Sequence, residues 1–331
     1  MEHRTIDFIN GDFSTVEGFP HVTQQAVMPL VAYRGGGEEI RPLGTCFSIS
    51  SHGLALTARH VVDEALNLGH WSDNDPYVYD QQWWLGALYV REPLPSDGDE
   101  FSDGLLPAQK LFGGLLPARK VHLCANLDMA VISLHLPTHI PTGKQMSVGQ
   151  LRLRPSLPEV GLSCFGLGYH SMRSTVRPDT QYVVDHLQSY SATRGTVQEV
   201  HFPRRDNWLL PFPCFRTSAR FDPGMSGGPI MDTTGNVVGM ICSSHKTQEE
   251  NDCISYGSLI GPSMLIPVEA TLTSGEAKEV FLYDFAIGGA ILLDTTRDDV
   301  TFVQEDARLT IDFGITPRIS NVLGSQKNPE G

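Results

Sequence analysis

The sequence predicts an all-β protein built from two β-barrels, and three observations lead there. Short apolar runs bounded by turn signals recur along most of the 331 residues, the pattern of a barrel or sandwich rather than of alternating βαβ units. Glycine (32 residues) and proline (22 residues) are plentiful, which favours many short strands over a helical bundle. A proline-bearing polar stretch, Pro137 to Pro158, separates two strand-rich halves and reads as the connector between barrels.

An N-terminal extension, 1–24, precedes the first barrel, expected over 25–140. Its strand-like runs are AVMPLVAYR before a GGG turn, TCFSIS and LALTA around Ser51-His52-Gly53, and AVISLHL. Helical periodicity is scarce, with Val61 to Leu68 and Pro262 to Ala270 as the best short candidates. Residues 71–120 are expected to be an inserted loop. They carry Trp83-Trp84, the acidic SDGDEFSDG and a tandem near-repeat, GLLPAQKLFG then GLLPARKVHL. Two copies are too few for a solenoid. A duplication lengthening a surface loop is one reading, and a strand pair edging the barrel is the other. The second barrel, 141–275, takes GLSCFGLG, SATRGTVQEV and NVVGMICSS. After it, VFLYDFAI, VTFVQ and RLTIDF predict a small β extension over 276–331, ending in a polar, disordered LGSQKNPEG.

The formal net charge of -14 argues against nucleic acid or an anionic membrane as the main partner, since both are polyanions. The opening MEHRTIDFINGDF has early acidic residues and no long apolar core, unlike a secretory signal. The longest apolar run, Ala286 to Leu293, is too short to span a bilayer. A cytoplasmic location is the expectation. Cys46, Cys124, Cys164, Cys214, Cys242 and Cys253 have no close pairing and are expected as reduced thiols. Cys242-x-x-His245 with Cys253 is too sparse a set to predict a zinc centre, so no metal and no other cofactor is expected.

Gly224-Met225-Ser226-Gly227-Gly228-Pro229 holds the candidate nucleophile. A serine hydroxyl attacks a carbonyl well when it is exposed, a base takes its proton, and donors meet the developing oxyanion. Flanking glycines let the chain turn tightly and leave room for substrate. The string also satisfies G-x-S-x-G, the nucleophile elbow of α/β-hydrolases, whose order is serine, acid, histidine. Downstream of Ser226 the only histidine is His245, too close to leave room for a strand and an acid. Upstream, His60 follows LALTA and Asp128 sits in LDMAV. The order His60, Asp128, Ser226 is that of a chymotrypsin-type triad.

GTCFSISSHGLALTARHVV resembles the strand–turn–strand–histidine segment of trypsin-like peptidases, particularly the bacterial HtrA/Deg-like branch. NLDMAVISL resembles the segment bearing their aspartate, and FDPGMSGGPIMDTTGNVVGM their serine loop and the hairpin after it. The resemblance covers about residues 25 to 272 and implies a two-barrel chymotrypsin/trypsin-like fold. It also implies a serine endopeptidase acting on protein or peptide substrates. His60 would be general base and then acid, Asp128 would hold the imidazole tautomer, and Ser226 would form the acyl-enzyme. The backbone N–H groups of Gly224 and Ser226 would make the oxyanion hole.

Three departures stand out. Met225 occupies the place of the aspartate that pairs with a freed N-terminus in digestive trypsins, and nothing matches their IVGG start. No cysteine follows His60 to brace its loop. The C-terminal stretch is too short for the PDZ domain usual in HtrA relatives, and no export signal is visible.

By the same resemblance, Cys242-Ser243-Ser244 lies on the strand that pairs with substrate backbone, a form of β-augmentation. Arg220, six residues before Ser226, falls where such enzymes often place a pocket-base residue; its other reading is a solvated side chain. Two further classes stay open: a protease-fold interaction module presenting 71–120, and an acyl hydrolase or esterase on the same fold. An active protease needs gating, so a regulatory protein partner is expected to act through 71–120 or the C-terminal strands.

Overall fold

A computed structural model describes residues 6–10, 25–34, 39–67, 83–91, 112–124, 126–139, 144–176, 184–246, 253–271, 276–294, 296, 299–315 and 317–323. Strand β1 (Ile6–Asn10) is followed by β2 (Val27–Arg34), β3 (Glu39–Ser48), β4 (Leu54–Thr57), helix α1 (Arg59–Asn67), β5 (Trp84–Arg91), β6 (Phe112–Leu123) and β7 (Ala130–Leu134). Strands β2 to β7 close a barrel in the order β2–β3–β4–β7–β6–β5. Leu30, Phe47, Leu56, Leu85, Leu116 and Ile132 are buried together in its core. Closure leaves no unpaired strand edge.

Residues 71–120 do not form the single inserted loop expected of them. Within them β5 and most of β6 are barrel staves, with Gly86–Arg91 paired to Phe112–Pro117 and Leu30–Tyr33 paired to Trp84–Ala87. Trp84 and Leu88 pack with Val31, Tyr33 and Ile40 on one face of β5, while Leu85 and Ala87 join the main core on the other. The second copy of the near-repeat lies within β6. Most of the first copy, and SDGDEFSDG, lie outside the described residues.

The short strands β8 (Thr138–His139), β9 (Lys144–Gln145) and β10 (Arg152–Leu153) lead to the second barrel. It comprises β11 (Ser163–Val176), β12 (Val184–His201), β13 (Cys214–Thr217), β14 (Pro229–Asp232), β15 (Asn236–Lys246) and β16 (Cys253–Leu259). The order β12–β11–β14–β15–β16 continues to β13, which pairs back onto β12, so this sheet also closes. Its core includes Cys164, Val197, Phe215, Ile230, Val238 and Leu259. The all-β, two-barrel architecture read from the sequence is the one the chain adopts.

The C-terminal segment is less uniformly β than expected. Pro262 to Ala270 is not a helix but a 3-10 turn, Gly261–Leu265, followed by β17 (Pro267–Thr271). Pro267 disfavours helical geometry in the residue before it, and Ile266 is extended, with ψ 124°. VFLYDFAI divides between β18 (Ala277–Phe281) and helix α2 (Leu282–Ile287). The Asp284 carboxylate accepts the Phe281 N–H (2.8 Å) and caps that helix. A three-stranded sheet follows, β19 (Thr301–Glu305), β20 (Arg308–Asp312) and β21 (Ile319–Val322). Leu309, Ile311 and Phe313 pack there with Leu265 and Phe281.

A buried ionic cluster ties this extension to the second barrel. Arg154 pairs with Asp232 at the end of β14 and with Asp294 (2.6 Å). Asn236 Nδ2 also donates to Asp294 (2.9 Å). LGSQKNPEG after its first residue lies outside the described residues.

Candidate active site

His60 and Asp128 meet because of strand register. β4 and β7 are antiparallel with Thr57 opposite Ala130. The residues just after β4 and just before β7 therefore emerge at the same end of the barrel. His60 stands there at the start of α1, and Asp128 in the turn entering β7. Buried Leu127 and Met129 anchor that turn on either side of Asp128. Arg59 fastens the helix start to the same turn by donating to Cys124 O (3.2 Å).

The pair is closely engaged. His60 Nδ1 lies 2.9 Å from Asp128 Oδ2 and 3.1 Å from Oδ1, and the His60 backbone N–H donates to Oδ1 (3.1 Å). A carboxylate accepts only, so Nδ1 carries the hydrogen and Nε2 is left as the basic nitrogen. Asp128 is 13 % exposed and His60 46 %. Burial lowers the His60 pKa, but the hydrogen bond and charge of Asp128, with Asp63 and Glu64, outweigh it and raise it above 6.5.

The Ser226 loop is positioned by backbone groups instead. Met225 N–H donates to Asp222 O (3.1 Å), Gly227 N–H to Ile241 O (2.8 Å) and Gly228 N–H to Met225 O (2.9 Å). Thr45 N–H donates to Ser226 O (2.9 Å), and the Thr45 hydroxyl to Gly224 O (2.9 Å). Among the described residues, the N–H groups of Gly224 and Ser226 donate to no protein acceptor. Those are the two expected to face an oxyanion.

Two glycines are obligatory. Gly227 has φ 85°, and a Cβ there would lie 2.2 Å from Thr45 O and 2.4 Å from Thr57 Oγ1. Its bareness lets the serine loop close onto the end of β4 that leads to His60. Gly224 has φ 100°, open to glycine and strained for any other residue. The Ser226 hydroxyl makes no hydrogen bond among the described residues. The backbone beside it, at Gly227, packs against Thr57, three residues before His60.

Met225 is fully buried in the second-barrel core. Its sulfur accepts the Asp222 N–H (3.3 Å). Packing, not charge, therefore holds its side chain.

The expected specificity residues divide. Arg220 is 60 % exposed and pairs with Asp222 (3.3 Å), while the neighbouring Phe221 turns into the core. Cys242 is buried and its thiol donates to Tyr256 O (3.3 Å). Burial, and then the charge of Asp128, push that thiol well up. A register shift between Ile241 and Ser243 leaves Cys242 out of the ladder pairing, with Ser243 opposite Tyr256 and Ser244 opposite Ser255. Sequence reasoning passed over Thr45 and Thr57, both fully buried. Their signal is a hydroxyl residue inside an otherwise apolar strand run.

Two closed barrels, one bearing a histidine–carboxylate pair and the other a glycine-bounded serine loop, define the chymotrypsin-like two-barrel class. The model of a trypsin-like peptidase domain matches residues 44–240, and the chain belongs to that family. No curated protein matches the chain. Among solved structures, the MamO protease domain from Magnetospirillum magneticum (apo form) is similar at 15% identity and TM-score 0.42, over 72% of this chain and 94% of that one. The Rv3671c protease from M. tuberculosis, in its active form, is similar at 16% identity and TM-score 0.43, over 77% and 85%. The HtrA-type protease AlgW with tripeptide is similar at 16% identity and TM-score 0.41, over 72% of this chain and 58% of that one.

Proposed function

We propose that this chain is a serine endopeptidase. His60 Nε2 takes the proton of Ser226 as Oγ attacks the scissile carbonyl, and the bond formed is the ester of an acyl-enzyme. Collapse of the tetrahedral intermediate breaks the C–N bond, and the amine leaves with the proton from His60. Water then repeats the sequence in reverse roles and releases the acid. Asp128 holds the imidazole in its Nδ1–H tautomer and stabilises the cation formed at each proton transfer.

The observation that carries this reading is the pattern of spent and unspent N–H groups in the serine loop. Three are committed to protein acceptors, and among the described residues those on Gly224 and Ser226 are not. Preorganised donors of this kind cost no reorganisation when oxyanion charge develops. In this account β15, through Ser243 and Ser244, pairs with the substrate backbone, and Arg220 is a solvated side chain. Its exposure and its partner Asp222 support that choice over a pocket-base role.

An active-site-directed fluorophosphonate tests the nucleophile. The expected result is a single adduct on Ser226 that is absent in Ser226→Ala, together with peptide cleavage that the variant loses. Folded protein that takes no label, or undiminished peptide cleavage by Ser226→Ala, would overturn it. Ester hydrolysis with no peptide cleavage would instead favour an acyl hydrolase.

A further inference from the structure

Thr45 is fully buried in β3, yet it touches the serine loop twice. Its N–H donates to Ser226 O (2.9 Å), and its hydroxyl donates to Gly224 O (2.9 Å). The same hydroxyl oxygen accepts the N–H of Tyr169 from β11 (2.9 Å). A hydroxyl has one hydrogen. With Tyr169 as donor on one side, that hydrogen is committed to Gly224 O. Thr45 O in turn accepts the Thr57 hydroxyl (2.8 Å), three residues before His60. One residue thus joins the first barrel, the second barrel, the nucleophile loop and the strand leading to the base.

A trans peptide is planar, so holding a carbonyl also fixes the N–H across that peptide bond. Three successive carbonyls of the loop are held: Gly224 by the Thr45 hydroxyl, Met225 by Gly228 N–H, and Ser226 by Thr45 N–H. The Met225 carbonyl sets the direction of the Ser226 N–H. For Gly224, the pinned carbonyl fixes one side of its Cα, and φ at 100° fixes where the N–H points on the other. Reversing the Pro223–Gly224 peptide would change that φ by about half a turn and remove the donor from the cleft. Met225 brings no charge to this loop, because its side chain is buried in an apolar cluster. The polar restraint on the Gly224 carbonyl comes from the Thr45 hydroxyl.

We propose that Thr45 is a positioning residue for the oxyanion hole, its hydroxyl holding Gly224 so that the N–H faces the substrate carbonyl. The proposal rests on the Ser226 peptidase reading.

Thr45→Val removes the hydroxyl and keeps the branched shape, and Thr45→Ser keeps the hydroxyl. In Thr45→Val, kcat on a peptide amide is expected to fall roughly tenfold to a hundredfold, part of the effect of losing one oxyanion donor. KM and the acid limb of the pH profile are expected to stay within about twofold, since neither substrate binding nor His60 is touched. Affinity for a peptide aldehyde should fall in step with kcat, while affinity for a product peptide should not. Thr45→Ser should restore kcat. Wild-type kcat in Thr45→Val, or a loss that Thr45→Ser does not recover, would overturn the proposal. If Thr45→Val does not fold, Thr45→Cys, a weaker donor, takes its place, and wild-type kcat in it would overturn the proposal equally. A wild-type enzyme that takes fluorophosphonate on Ser226, paired with an unaffected variant, would overturn the role of Thr45 alone. An unlabelled, inactive wild type would overturn both.

Discussion

The two barrels contribute to the cleft by different physics. The first barrel supplies side chains whose work is charge: a carboxylate 13 % exposed against an imidazole, brought together by the β4–β7 register. The second supplies backbone, a loop whose carbonyls and N–H groups are assigned one by one, with glycine at the two positive-φ positions Gly224 and Gly227. The difference is in what each half tolerates. In the proposed enzyme, a change of charge is expected to damage the first half while leaving its shape. Adding a methyl group is expected to damage the second while leaving its charge.

Asp128→Asn is the largest break in this comparison that keeps the shape. It leaves an amide in place of the acceptor that fixes the His60 tautomer, and kcat is expected to fall about ten-thousandfold. The pH profile sharpens the same point. As the proposed general base His60 must be neutral to accept a proton, and its pKa is raised above 6.5, so the acid limb of wild-type kcat/KM should lie above that value. Removing the Asp128 charge takes away the main raising contributions, so residual activity in Asp128→Asn should show its acid limb at lower pH. An acid limb that moves upward or not at all would contradict this.

Gly224→Ala is the counterpart in the backbone half. A Cβ there meets Tyr169 O at 2.9 Å on a backbone at φ 100°. Turnover is expected to fall about a hundredfold to a thousandfold, the effect of losing one oxyanion donor. The acid limb should not move, because no charge near His60 has changed. A shifted limb in this variant would blur the distinction between the halves.

Asp294→Ala lies outside both halves and reads stability instead. It leaves Arg154 buried with one carboxylate fewer, and unfolding free energy is expected to drop by about 3 kcal/mol, measured by denaturant titration. Burial raises the Asp294 pKa, but hydrogen bonds from Thr296 and Arg154 outweigh it, so the folded value lies below 3.8. A depressed carboxyl stabilises above its unfolded pKa, and that contribution is lost as pH falls through the folded one. The difference between wild type and variant should therefore narrow below about pH 4. Arg220→Ala should do least. An exposed pair such as Arg220–Asp222 is worth up to about 1 kcal/mol. Peptide kcat/KM should change by about fivefold or less on acidic and neutral sequences alike. A selective collapse for acidic side chains would restore a pocket-base role.

The sequence made the two-barrel architecture and the tight loop around Ser226 legible, because both leave local marks. Alternating apolar runs and turn residues specify barrels, and glycines around Ser226 specify a loop that must approach other backbone closely. The stretch 71–120 reads as a loop because a near-repeat and an acidic run mask two barrel staves, the first of which, β5, pairs with β2 more than fifty residues earlier in the chain (Leu30 opposite Ala87). VFLYDFAI divided because one side-chain cap from Asp284 outweighed its strand-like composition. Thr45 went unread for a related reason. Its hydroxyl bonds reach 124 and 179 residues along the chain, and no periodicity records such a contact.

A crystal structure with a peptide boronate bound tests the division between the halves most directly. The expected result is boron bonded to Ser226 Oγ and one boronate oxygen within about 2.7–3.1 Å of both the Gly224 and Ser226 nitrogens, with His60 Nε2 facing the other side. A covalent adduct whose oxygen turns away from those two N–H groups, or a boronate that leaves Ser226 unmodified, would contradict it.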